Sequence, residues 1–168
     1  QVSTDTYYSV SKYISEAILK LILGKKDKKK LIILRPTIVY GPNEGLTASS
    51  PSGFLKLLQN KEKISIWGNG SEVREFLYVE DLTRIIVKLI SKNFSGILNV
   101  GGFPSSYFNL IKKISEILKV KPNLNNKKRT TPKVNKIYSK KLIKKIFPNI
   151  KLTSIEAGIY KTLKKEFY

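Results

Sequence analysis

The sequence contains no cysteine, no histidine and no methionine. Without cysteine there can be no disulfide, no thiol nucleophile and no thiolate metal site. Without histidine the usual general base and the commonest metal ligand are missing. The twelve carboxylates are scattered and show no metal-ligand spacing, so no metal is expected. No apolar run approaches the ~20 residues that cross a bilayer, and no signal-peptide pattern opens the chain. A cytoplasmic protein without a membrane partner is therefore expected. The chain begins at Gln1 and is expected to be a piece of a longer protein. At 168 residues it can still bury a core.

Lysine is what the sequence has in excess. Lys and Arg number 32 against 12 Asp and Glu, for a net charge of +20, and only four of the basic residues are Arg. The lysines cluster in a turn-like run at 25–30 and along segments 140–145 and 161–165. Lysine is a less specific phosphate reader than arginine, and no aromatics are interleaved to make a base-stacking platform. No nucleic-acid partner is expected. A basic surface would nevertheless draw in a dianionic small ligand.

Periodicity predicts a helix over 5–23 with an apolar stripe through Ile14, Ala17, Ile18 and Leu21. Asp5 or Thr4 could cap it, and Gly24 could end it. Leu31–Leu34 reads as a strand buried in a parallel sheet, after which Pro36 and the YGPNEG segment should stop regular structure. A short helix is expected at 52–60, strands at 64–67 and 75–79, and a turn at Gly68-Asn69-Gly70. A helix at 80–91 should turn Leu82, Ile85, Ile86, Leu89 and Ile90 inward, with Asp81 as its cap. A strand at 97–100 should leave through Gly101-Gly102. Helices should follow at 106–119, 139–147 and 153–166, with 121–138 irregular. Strands alternating with helices predict an α/β architecture.

Two Tyr-x-x-x-Lys pairs occur, Tyr8/Lys12 and Tyr160/Lys164. On a helix, i and i+4 share a face, and an ammonium beside a phenol favours the phenolate. A phenol so tuned can exchange a proton with a carbinol or carbonyl. Only the Tyr8 pair is followed by an apolar helix and a buried-type strand. Tyr7 is a poorer candidate, because the residue four positions on is Ser11.

Four blocks then carry a resemblance: YSVSKYISE at 8–16, LRPTIVYGP at 34–42, IWGNGSEVREFLYVEDL at 66–82 and ILNVGG at 97–102. A weaker fifth is SIEAGIYKTL at 154–163. In content, order and spacing the chain resembles the C-terminal part of an extended short-chain dehydrogenase/reductase, of the nucleotide-sugar epimerase/dehydratase family. The resemblance implies the end of a doubly wound, Rossmann-type parallel sheet, formed by 1–44 and 76–101. A smaller mixed α/β substrate-binding part would comprise 45–75 and 102–168. It implies Tyr8 and Lys12 as catalytic residues that also bind the cofactor, NAD or NADP, along Arg35, Pro36, Thr37 and Ile38. It implies a nucleotide-sugar substrate, with Arg74 on the diphosphate and Arg129 as a second phosphate ligand. Ile66 and Trp67 would line the base pocket, although Trp67 could equally be core and Arg74 could be spent on Glu72, Glu75 or Asp81. Arg129 could be a solvated loop residue.

The family's phosphate-binding glycine loop has no counterpart in these 168 residues. Ile38 stands where many relatives carry a substrate-contacting Asn. The full-length protein is expected to be a homodimeric enzyme that transiently oxidises the sugar, and this piece alone should be inactive. Reduction in the manner of a GDP-fucose synthase, or cofactor binding without catalysis, are the alternatives.

Overall fold

The computed structural model describes residues 6–23, 30–44 and 50–167. In chain order they form α1 (Tyr7–Leu23), β1 (Ile32–Pro36), β2 (Ile38–Tyr40), α2 (Pro51–Gln59), β3 (Lys63–Trp67), β4 (Val73–Tyr78) and α3 (Val79–Ile90). Then come β5 (Gly96–Val100), β6 (Phe103–Ser106), α4 (Tyr107–Leu118), β7 (Asn123–Lys127), α5 (Lys141–Ile146) and α6 (Ile155–Phe167). The caps expected at Thr4, Asp5 and Gly24 lie outside the described residues. Among the described residues no helix is long and apolar enough to cross a membrane.

Three small sheets result. β1 pairs with β5 in parallel, β3 pairs with β7 in parallel, and β4 lies between β2 (parallel) and β6 (antiparallel). This is the α/β arrangement the alternation of elements predicts. β4 is the hinge of the packing because it is buried from Glu75 to Tyr78. Alternate side chains of a strand point to opposite faces. Phe76 and Tyr78 enter a cluster with Tyr40, Phe54, Leu55, Ile64, Leu110 and Ile159. Leu77 enters a second cluster with Ile85, Leu89, Leu98, Val100, Ile143 and Phe147.

Several expectations need correction. Regular structure does not stop at Pro36. The proline closes β1, whose partner among the described residues is β5. The Thr37 N–H then donates to Val100 O at 3.1 Å, and the chain steps across into β2. Residues 123–127 are not irregular but pair with β3 from Lys63↔Asn123 to Trp67↔Lys127. Their Asn- and Lys-rich sequence hides a half-exposed edge strand. β6 was hidden in the same way by Pro104, which sits on the outer edge of its sheet.

The helix α1 carries the expected apolar stripe, but among the described residues nothing covers it: no residue of the helix is buried, and Ile14, Ile18 and Leu21 are exposed. On α3, Ile85 and Leu89 point inward, but Ile86 and Ile90 are exposed, because the contact covers a narrower stripe than the apolar run. Asp81 does not cap α3. The N-cap is Tyr78 without a side-chain bond, and Asp81 is buried, accepting from Thr153 N–H at 2.6 Å and Thr153 Oγ1 at 3.0 Å. It thereby ties the approach to α6 onto α3. Glu80 does the same from the surface, taking Lys161 at 2.9 Å and Lys165 at 2.7 Å, and these two hydrogen bonds hold its pKa down to about 2.

One close approach fixes the β4–β6 register. Gly102 N–H donates to Thr37 Oγ1 at 3.2 Å, and a Cβ at Gly102 would collide with the main-chain carbonyl of Phe76. A backbone obstacle in a strand paired on both edges cannot give way. Gly102→Ala is expected to destabilise the fold by about 1–3 kcal/mol, the scale of overpacking, read as a lower denaturation midpoint. An unchanged midpoint would contradict this packing.

Candidate functional site

Two cavities open beside β4. The larger, about 850 Å³, is walled by Phe54 and Tyr107, by Ile66 and Trp67 at the end of β3, and by Glu72, Arg74 and Arg129. The smaller, about 320 Å³, lies at Pro36, Thr37 and Ile38, with Glu75 and Tyr138 opposite. Arg74 and Lys136 line both, so the two cavities share a wall.

The geometry of the larger cavity follows from β3 and β4. Strand alternation buries Ile64 and Ile66 and leaves Trp67 half exposed, 5.9 Å from the Lys127 ammonium. Trp67 is therefore a wall residue and not core. Its indole presents a flat apolar face on which a planar base could stack. The turn after it needs Gly68 and Gly70, both at positive φ, and Gly68 lies against the stem of Arg129.

The turn delivers Glu72 and Arg74, two residues apart and so on one face of the chain. Arg74 hydrogen-bonds the carbonyls of Val134 and, at 3.1 Å, Val73, and pairs with Glu72 through Nη2. Arg129 reaches the other oxygen of the same carboxylate at 2.6 Å. Burial raises the Glu72 pKa, but the Arg129 hydrogen bond and the Arg74 charge outweigh it and hold the group below the usual carboxylate range. Arg129 is thus part of the cavity wall and not a solvated loop residue. Its approach depends on the β3–β7 pairing, which ends at Lys127.

The smaller cavity is floored by Glu75, which is buried and held by Lys140 at 3.1 Å and by the Tyr138 N–H at 3.2 Å. Lys140 also donates to the Gly102 carbonyl, so residues 138–140 are stitched to the exit of β5. Neither Glu75 nor Glu72 stands out in the sequence as a site residue. The spacing to Arg74 was a signal for Glu72, whereas Lys136 and Tyr138 carried none.

Tyr8 and Lys12 line neither cavity. They lie on α1 with Tyr8 72% exposed and Lys12 Nζ 5.6 Å from its ring. Tyr8, Lys12 and Glu16 are spaced by four and share one helix face. Glu16 is fixed to Arg35 near the end of β1 by two bonds, Nε to Oε1 at 2.7 Å and Nη2 to Oε2 at 2.5 Å. The Arg35 side chain is therefore committed to α1. This fork-on-carboxylate contact ties α1, at its Glu16 turn, to the end of β1.

The Arg35 hydrogen bond, opposed by burial and helped by the charges of Arg35 and Lys20, holds the Glu16 pKa below 4.5. A folded pKa below the unfolded value means that the contact's contribution is complete above about pH 4.5. It is lost as pH falls through the lower folded value. Amide exchange of α1, corrected for intrinsic rates, should accelerate in acid, and Glu16→Gln should produce the same loss of protection at neutral pH. Protection independent of both would mean that something else anchors α1.

Residues 1–101 match the NAD dependent epimerase/dehydratase family. A dTDP-4-dehydro-6-deoxy-D-allose reductase of a Streptomyces species is 33% identical over 102 residues, covering 59% of this chain and 31% of that protein. The human dTDP-D-glucose 4,6-dehydratase is 31% identical over 114 residues, covering 67% of this chain and 32% of that one. The structure of a Bacillus cereus UDP-glucuronic acid 4-epimerase in complex with UDP-glucuronic acid and NAD superposes with a TM-score of 0.81 at 20% identity. It covers 97% of this chain and 55% of that one. The chain thus spans about half the length of that structure. With its family match, its fold and the order of its motifs, the chain belongs to the NAD dependent epimerase/dehydratase family.

Proposed function

We propose that the whole protein is a nicotinamide-dependent epimerase or dehydratase of a nucleotide-activated sugar. The observation that carries this reading is the larger cavity. It has two guanidiniums converging on one anionic position beside an exposed indole, next to a second cavity at the carboxyl end of a parallel strand. Ligands of open α/β sheets lie at that end. The diphosphate would take Arg74 and Arg129, the base would lie on Trp67 and against Ile66, and the sugar would extend past Arg74 toward Pro36–Ile38.

The chain's own residues fit the nicotinamide side of a dinucleotide, NAD or NADP. Lys12 offers an ammonium to a ribose hydroxyl, and the backbone of Arg35, Pro36, Thr37 and Ile38 offers an edge to the amide. No Gly-x-Gly-x-x-Gly turn for the pyrophosphate occurs in the sequence. The nicotinamide, when bound, supplies the hydride acceptor and donor. Tyr8 removes the sugar hydroxyl proton as the hydride leaves the same carbon, and returns a proton when the carbonyl is reduced. Lys12, one turn along, holds its ammonium 5.6 Å from the Tyr8 ring. Ile38 presents no amide to the sugar, so the sugar hydroxyls must be read by other groups.

Residues 1–44 and 76–101 are read as the end of the cofactor-binding part, and 45–75 and 102–168 as the substrate part, with α5 packed back against β5. A homodimer in the cytoplasm is the expected assembly, and the exposed apolar side of α1 is surface available to it. A reductase is the second reading, favoured by the allose-reductase similarity. Net consumption of NADPH per sugar, in place of its recycling, would establish it.

Tyr8→Phe in the full-length protein keeps the ring and deletes the proton carrier. Turnover of a nucleotide sugar should fall by ~10²–10⁴, with binding of UDP or dTDP unchanged. Turnover near that of the unsubstituted protein would remove Tyr8 from the chemistry.

A further inference from the structure

The two arginines of the larger cavity already hold an anion. Glu72 gives Oε1 to Arg74 and Oε2 to Arg129, so one carboxylate bridges two guanidiniums from different segments. A phosphate group takes this same fork geometry. The backbone of Glu72 is fixed, since its carbonyl accepts from Tyr107 N–H at 3.3 Å and the next N–H, of Val73, donates to Asn135 Oδ1 at 3.0 Å. The side chain is therefore the part that can swing. Arg74 keeps the carbonyls of Val73 and Val134 whatever Glu72 does. Among the described residues Arg129 bonds to no acceptor other than Glu72.

We propose that Glu72 is a built-in competitor of the substrate's diphosphate. It holds the two guanidiniums at phosphate spacing in the free protein and must yield its place for the ligand to bind. The inference rests on reading this cavity as the diphosphate site. Exchanging a carboxylate of one charge for an anion is favourable only when the incoming anion carries more charge and can engage both arginines. A diphosphate does so. A monophosphate also carries more charge than a carboxylate, but it offers a single phosphate to the two arginines. Glu72 thus weakens every phosphate ligand that must displace it, and keeps two basic side chains ordered when no ligand is there.

The test is calorimetry of UDP and UMP on the full-length protein. Glu72→Gln, which leaves no charge to displace, should bind UDP at least about tenfold more tightly, since neither charge-assisted contact of the carboxylate has to be broken. UMP, which would have to displace the same carboxylate, should gain no more than UDP does. Should Glu72→Gln fail to fold, Glu72→Asp, whose shorter side chain cannot span both arginines, should shift both affinities the same way. Equal or weaker UDP binding in the variant that folds overturns the proposal, and so does a gain in UMP affinity larger than the gain for UDP. Arg74→Ala and Arg129→Ala separate the two levels of the argument. If they weaken UDP binding while the Glu72 variants do not tighten it, only the competitor role falls. If they leave UDP binding unchanged, the cavity is not the diphosphate site and the proposal falls with it.

Discussion

Everything that positions the candidate site hangs on β4. It is paired on both edges and buried on both faces, so its register leaves almost no freedom. Parallel pairing sets Ile38 opposite Phe76, and antiparallel pairing sets Arg74 opposite Ser105. One strand thereby fixes Ile38 and Arg74, which both line the smaller cavity, relative to each other. Burying Phe76 and Tyr78 on one side and Leu77 on the other contributes on the order of 1.5–3 kcal/mol per side chain. A slip of one residue would exchange the two faces.

A second, weaker constraint governs α1. α1 buries nothing among the described residues and is held by a carboxylate–guanidinium fork between Glu16 and Arg35. Among the described residues that contact is what ties α1 to β1, whereas β4 is packed into the core.

The parts of this arrangement that were legible in the sequence are those with their own local signal. Strands β1 and β5 are largely apolar, β4 ends in Phe-Leu-Tyr, α3 and α4 have clear periodicity, and Tyr8, Lys12 and Arg74 sit inside recognisable blocks. What was hidden depends on long-range pairing. β7 is Asn-Leu-Asn-Asn-Lys and has no strand signature until β3 lies beside it, and Arg129 enters the cavity through that pairing. The exposure of Ile14, Ile18, Ile86 and Ile90 could not be read from periodicity, which finds an apolar face but not what covers it. Asp81 looked like a cap because of its place at the helix start, yet its partner is Thr153, far along the chain.

The central claim is that the cavity between β3, β4 and the Arg129 loop holds the diphosphate of a nucleotide sugar. The most direct measurement is a crystal structure of the protein with UDP bound. The expected result is diphosphate density between Arg74 and Arg129, with the base against Trp67 and the Glu72 carboxylate displaced from between the two arginines. Diphosphate density elsewhere on the molecule, with the Arg74–Glu72–Arg129 cluster undisturbed, would contradict it.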